Sequence, residues 1–556
     1  MSVTLHNPIL PGFYPDPSIC RVGDDYYLVT SSFSFFPGVP LFHSKDLAHW
    51  EQIGHVLDRP KQLPLAPYDL GLGIFAPTIR YHEDMFYCIT TNASFGGNFI
   101  VTSSDPAGDW SDPHWIEGAE GIDPSLFWDE DGTAYYTGAS EFDTRNGMRP
   151  YIWLSEIDLT RFELVGEKHL LWGGALADPA WTEAPHLYKK NGWYYLLAAE
   201  GGTEHFHSEI VARSRSVTGP YESFRGNPIL TQRHLGVSAD ITNAGHGDLI
   251  ECQDGSWYMV FLASRPYGGY HKNLGRETFI APVSWEEDWP VVSPGTGRVL
   301  MSYEGPNLPL FSVPSVSEFD DFDEPSLRSY FNTLGTPEED TCKLEDGCLQ
   351  LRLYERRMGY DMAGRDAFKA SPTPLPMGFL GRRQQHMSFT AKTRLLFCPQ
   401  EGESAGITVL QHDYQQLRLE MTCVLEKGTV LRAFKCYKSL EPTLINHPDR
   451  GEYKEELLGE VKWEEQEAIL CIRATLQDFT LSGETSKGEE ILLARTDGGF
   501  LGSETAGGYI GAYIGMFAYR DPCLVLDRER NGSNKAEEET KEKRYASFAW
   551  FSYQGQ

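Results

Sequence analysis

A short phrase that occurs five times decides most of what this chain can become. Asp16-Pro17-Ser18-Ile19 comes back as Asp123-Pro124-Ser125-Leu126, with looser copies at Ala76-Pro77-Thr78-Ile79, Ala184-Pro185-His186-Leu187 and His246-Gly247-Asp248-Leu249. Successive copies start between 47 and 62 residues apart. Each leads, about ten residues on, into an aromatic run such as Asp25-Tyr26-Tyr27-Leu28-Val29, Met85-Phe86-Tyr87-Cys88-Ile89 or Gly192-Trp193-Tyr194-Tyr195-Leu196. Self-similarity of this period marks a repeat architecture, in which each unit buries its apolar face on its neighbours. Alternating apolar and polar residues bounded by Gly, Asp, Asn and Pro predict strands, and helical periodicity is scarce. Five strand-rich units of this length predict a five-bladed β-propeller over residues 1–300.

The repeat ends long before the chain does. At 556 residues, two or more cores are expected. Pro306, Pro309 and Pro314 mark a linker over 301–316. Beyond it the strand candidates, among them Cys348 to Leu353, Phe389 to Phe397, Ala405 to Leu410, Gln416 to Met421 and Tyr509 to Met516, lose the earlier spacing. They predict a β-sandwich over 317–556, so the whole chain is expected to be all-β. The charged run at 527–544 reads as a surface loop.

Charge narrows the partners. Asp+Glu 79 against Lys+Arg 48 gives a net charge of −31, which argues against nucleic acid or an anionic membrane and for a neutral or cationic ligand. No run of about 20 apolar residues predicts a membrane span. The opening Met-Ser-Val-Thr-Leu-His-Asn-Pro lacks a basic region followed by an apolar run, so a cytoplasmic location is expected. Ten scattered cysteines without paired metal-ligand spacing fit buried, inert thiols in a reducing compartment. A homo-oligomer is compatible with all of this.

In a propeller the innermost strands begin around the axis at one mouth, so residues at one repeat position converge in space. That position carries Asp16, Ala76, Asp123, Ala184 and His246, with Glu183 beside Ala184. A single Asp before Pro starts a turn. Three carboxylates gathered at one mouth call for more, because carboxylates are rarely buried unpaired. Glu183 stands one residue out of register, which in a regular strand would turn its side chain away. Paired carboxylates suit glycoside hydrolysis, one acid protonating the leaving oxygen and one carboxylate activating water or attacking the sugar. A third can hold the acid protonated by its charge. Phe33, Phe35, Phe36 and Phe75 are candidates to stack on a sugar face, although such residues taken singly more often serve the core.

The motifs resemble those of glycoside hydrolase family forty-three, especially its β-xylosidases. The resemblance rests on Asn7 to Ile19, Ser31-Ser32-Phe33, Ala76 to Arg80, Gly121 to Leu126, Thr182 to His186, Glu200 to Thr203, Gly245-His246-Gly247 and Leu274 to Thr278. It implies a five-bladed propeller and an inverting mechanism. Asp16 is then the general base, Glu183 the general acid and Asp123 the group that raises the acid's pKa. Arg276 donates hydrogen bonds to sugar hydroxyls, Phe33 contacts the sugar, and His246 sits under the pocket on the axis. No cofactor is required, but a divalent cation such as calcium near His246 is compatible with the resemblance. Phe75 stands where many relatives have Trp, which implies a smaller stacking platform. The sandwich of related xylosidases sends an aromatic into the mouth; Tyr509 and Tyr513 are the candidates, and Tyr513 is preferred.

The expected activity is the release of xylose from the non-reducing ends of short β-1,4-xylo-oligosaccharides, with α-L-arabinofuranosidase side activity. The alternatives are a predominant arabinofuranosidase and a non-catalytic sugar-binding propeller.

Overall fold

The computed structural model describes residues 3–65, 70–144, 147–177, 179–358, 376–412, 414–439, 452–521 and 543–556. Most of the charged run expected at 527–544 lies outside the described residues. The protein is all-β, and its α-helix among those residues is the single turn Ser503–Ala506.

Five antiparallel sheets follow one another through the first 292 residues. Their first strands are Ser18–Val22, Thr78–His82, Ile122–Trp128, Glu183–Lys190 and Thr242–Glu251. The aromatic runs form the second strands, Asp25–Val29, Met85–Asn92, Ala134–Thr144, Trp193–Glu200 and Trp257–Ser264. In each sheet the strands are neighbours in the order of the chain, as short connections favour. The five first strands touch one another in a ring, Thr242–Glu251 meeting Ser18–Val22 to complete it. Apolar side chains fill the spaces between adjacent sheets. For example, Val29, Leu41, Ile79, Cys88 and Val101 share one buried cluster, and Leu154, Leu187, Leu196 and Ala212 another.

The ends of this unit are tied together. Thr4–His6 pairs with Ser302–Glu304, so three residues expected in the linker are a strand. The Asn7 side-chain amide donates to the carbonyls of Ile280 and Leu300 at 2.8 and 2.9 Å, and Leu10 bridges to Thr278.

The rest of the chain builds two larger sheets. One contains Phe389–Leu396, Tyr545–Gly555, Glu467–Thr475 and their neighbours; the other runs from Gly378–Arg383 through Tyr513–Arg520 and Glu403–His412 to Glu452–Lys462. Along Phe389–Leu396 buried and more exposed residues alternate, the period of a strand with one face on a core. That core is a single cluster including Leu351, Phe389, Leu395, Ile407, Leu419, Leu470, Ile514 and Phe548.

The two halves share an apolar seam. Phe13, Phe33 and Phe35 from the first half pack with Leu334, Phe379, Ile510, Tyr513 and Phe517 from the second. Phe35–Phe36 pairs with Thr333–Leu334. Arg383, 2% exposed, crosses the seam, donating from Nε to the Phe13 carbonyl at 2.6 Å and from Nη1 to Asn332 Oδ1 at 3.0 Å.

Candidate active site

The starts of four of the five inner strands do not have ordinary strand geometry. Asp16, Asp123, Ala184 and His246 have φ of 55°, 54°, 55° and 58°, the left-handed region that non-glycine residues seldom occupy. The same repeat position is thus strained in four units, at a cost of about 1–3 kcal/mol each, which persists only where surrounding structure compels it. Strand pairing is irregular at the same places, between Ile122 and Ser125, Glu183 and His186, and Gly245 and Asp248. Strict alternation fails there, and so the one-residue offset of Glu183 does not turn it away from the aspartates. The Ala184 N–H donates to Asp123 Oδ2 at 3.2 Å, tying the two strand starts together.

Asp16 is 4% exposed and fully engaged. Arg276 Nη1 donates to its Oδ1 at 2.7 Å, and Ser31 Oγ donates to its Oδ2 at 2.5 Å. His246 Nδ1 lies 3.7 Å from the same Oδ1. Burial raises the Asp123 carboxyl to about 6; His246 and Arg276 oppose the rise and the charge of Asp16 adds to it. Glu183 is pushed well above the usual carboxylate range by burial, then by the charges of Asp123 and Asp16, against the pull of Arg276. The three carboxyls therefore feel one another, and Glu183 is driven toward its protonated form by burial and by the charges of the other two.

Arg276 organises the wall. Besides Asp16 it donates to Thr203 Oγ1 at 3.2 Å and, through Nε, to the Tyr509 carbonyl at 3.2 Å. Its guanidinium lies 5.5 Å from the Phe33 ring and 6.0 Å from that of Tyr509. Phe33, itself left-handed at φ 50°, is buried, with its ring centroid 5.4 Å from that of half-buried Phe75.

Tyr513 is not at the mouth. Its ring is fully buried and stacks on Phe35, centroids 3.8 Å apart and planes 7° from parallel. The strand Tyr513–Arg520 begins at this residue, paired on both sides, and its first side chain belongs to the seam. Tyr509, in the loop before the strand, is the tyrosine 48% exposed beside Arg276. Sequence reasoning assigned no role to Ser31 or Thr203, and it passed over Trp181. That indole is 58% exposed, two residues from Glu183, and lies close against Gly202. An aromatic next to the offset glutamate was the available signal.

Among the described residues no group of three or more His, Cys, Asp or Glu side chains is disposed to hold a metal ion.

Comparison with known proteins bears directly on this arrangement. Residues 5–290 match the model of glycosyl hydrolases family 43, and residues 319–554 that of the β-xylosidase C-terminal concanavalin A-like domain. A xylosidase/arabinosidase of Butyrivibrio fibrisolvens is 43% identical over 93% of this chain and 96% of its own length. A non-reducing end α-L-arabinofuranosidase of Bacteroides ovatus is 36% identical over 93% and 91%. The crystal structure of a xylan β-1,4-xylosidase from Bacillus halodurans superposes with a TM-score of 0.86 at 33% identity, covering 99% of this chain and all of that one.

Proposed function

This chain belongs to glycoside hydrolase family 43, a family of inverting glycosidases, and from that premise we propose which bond it cleaves and which groups cleave it. It releases xylose from the non-reducing ends of short β-1,4-xylo-oligosaccharides and acts secondarily on α-L-arabinofuranosides. The observation that carries this is the trio of Asp16, Asp123 and Glu183 gathered at one mouth, where burial and the neighbouring carboxylates raise Asp123 and Glu183. The names of the relatives support both sugars, and the arabinofuranosidase of Bacteroides ovatus keeps a predominantly arabinoside-cleaving enzyme as the second reading.

Asp16 takes a proton from a water molecule, whose oxygen attacks the anomeric carbon. Glu183 gives its proton to the departing glycosidic oxygen, the carbon–oxygen bond breaks, and the sugar leaves with inverted configuration. Asp123 holds that proton on Glu183 until it is needed. Arg276 fixes Asp16 and presents donors to the sugar hydroxyls, and Phe33 and Phe75 offer their ring edges and faces. We read the five sheets ringed by their first strands as a five-bladed propeller carrying the chemistry, and the two later sheets as a β-sandwich beyond residue 316. The reaction uses protein groups and water.

The test is hydrolysis of nitrophenyl β-D-xyloside and α-L-arabinofuranoside by the intact protein and by Asp16→Ala. Xyloside turnover of the parent, at least 10³-fold lower in the variant, is expected. Proton NMR of an early time point should show α-xylose first; β-xylose first, or equal turnover by the variant, overturns the reading.

A further inference from the structure

One layer beneath the carboxylates lies a second set of buried polar groups that the reaction does not use. Four of its members stand two residues beyond the site position of their inner strand. Ser18 follows Asp16, Ser125 follows Asp123, His186 follows Ala184, and Asp248 follows His246. From the second sheet, where the site position is an alanine, the longer side chain of Arg80 reaches in.

These residues bond to one another across all five sheets. Arg80 grips Asp248 through both terminal nitrogens, at 2.8 and 3.1 Å. Asp248, fully buried, also accepts from Ser18 Oγ at 2.7 Å, from the Ile19 N–H at 3.1 Å and from the Tyr188 hydroxyl at 2.6 Å. Arg80 Nη2 donates to His186 Nδ1 at 2.9 Å, and Ser125 Oγ lies 3.1 Å from the same nitrogen. Burial lowers His186 to about 3, in keeping with a neutral ring that accepts at Nδ1. The first sheet supplies Ser18, the second Arg80, the third Ser125, the fourth His186 and Tyr188, and the fifth Asp248.

We propose that Arg80, Asp248, Ser18, Ser125, His186 and Tyr188 form an axial clasp that sets the spacing of the strand starts, and hence of Asp16, Asp123 and Glu183. They are positioning residues, acting through the backbone two to four residues away. An apolar axis would close the ring as well, since replacing a buried ion pair by well-fitted apolar groups is often neutral for stability. Directional bonds instead fix which side chain faces which, and the strained backbone directly above needs that constraint. An inverting site depends on the distance between its two carboxyls, and misplacement by about 1 Å costs on the order of 10²-fold in rate.

The proposal rests on the reading of the carboxylates and can fail apart from it. Asp248→Asn is expected to lower kcat on the nitrophenyl xyloside at least tenfold while KM stays within about twofold. The paired variant Arg80→Met with Asp248→Leu is expected to regain the melting temperature lost by Asp248→Asn but not its kcat. Recovery of kcat in step with melting temperature would make the network merely structural and overturn the proposal, as would unchanged kcat in Asp248→Asn. If Asp248→Asn does not fold, Tyr188→Phe carries the test by removing one hydroxyl. A fall of about threefold or more in kcat at constant KM supports the clasp, and parental kcat refutes it. Full turnover by Asp16→Ala would instead remove the reading on which the clasp depends.

Discussion

Glu183 and Asp16 share one buried mouth yet serve opposite roles, and the difference comes from contacts rather than residue type. Asp16 accepts from Arg276 and Ser31, whereas Glu183 is raised by burial and by the charges of Asp123 and Asp16. Two predictions belong at this scale. Glu183→Ala should lose least, within about tenfold, on aryl glycosides with good leaving groups and 10²-fold or more on xylobiose, because only the latter needs a proton at departure. Equal losses would count against Glu183 as the acid. Asp123→Asn removes a negative charge that raises Glu183, so Glu183 gives up its proton at lower pH and the alkaline limb of kcat/KM should move to lower pH. The same substitution should stabilise the fold. The Asp123 carboxyl titrates higher in the folded chain, at about 6, than unfolded, so stability falls as pH rises between about 4 and 6. The variant should melt higher than the parent at pH 7, by on the order of 2 kcal/mol, with the gap closing below about pH 4. Calorimetry across pH reads both.

At the scale of elements, the loop before Tyr513–Arg520 matters more than the strand. It lies against the loop carrying Arg276, and glycines make that approach feasible. A Cβ on Gly511 would sit 2.5 Å from the Leu274 carbonyl oxygen and 2.8 Å from Phe13 Cβ; one on Gly275, at φ 74°, would meet the Gly511 Cα at 2.7 Å. The Ala512 N–H donates to the Asn273 carbonyl at 2.8 Å in the same contact. Gly511→Ala should therefore push the loops apart, draw the Tyr509 carbonyl off Arg276, and lower kcat/KM at least tenfold along with the melting temperature. An unchanged kcat/KM would mean that Arg276 is held by the first half alone.

For the whole molecule, the second half acts as part of the site's wall. It supplies Tyr509 to Arg276, sends Arg383 to the carbonyl three residues before Asp16, and covers Phe13 and Phe35. A chain ending at residue 316 should be insoluble or, if folded, at least 10²-fold less active on the xyloside, with exposed apolar surface detectable by dye binding. Parental activity in that fragment would reduce the second half to an appendage.

Much of this was legible from local pattern. Asp16 and Asp123 could be picked out because a repeat converts sequence position into spatial position, and the aromatic second strands announce themselves by composition. The motif at 182–186 brought in Glu183 by resemblance; the left-handed residue beside it, which lets an out-of-register side chain join the others, leaves no trace in a periodicity of two. Tyr509 and Tyr513 shared every sequence signal, and only the point where pairing begins sends one into the seam and leaves the other at the mouth. The partners Ser31, Thr203 and Arg383, and the bonds of Arg80 and Asp248 across 168 positions of chain, depend on which surfaces meet. Alternation and repetition act between near neighbours and so can be read along the chain. Charge pairing, burial and close backbone approach join residues that only the closed ring and its contact with the second half bring together.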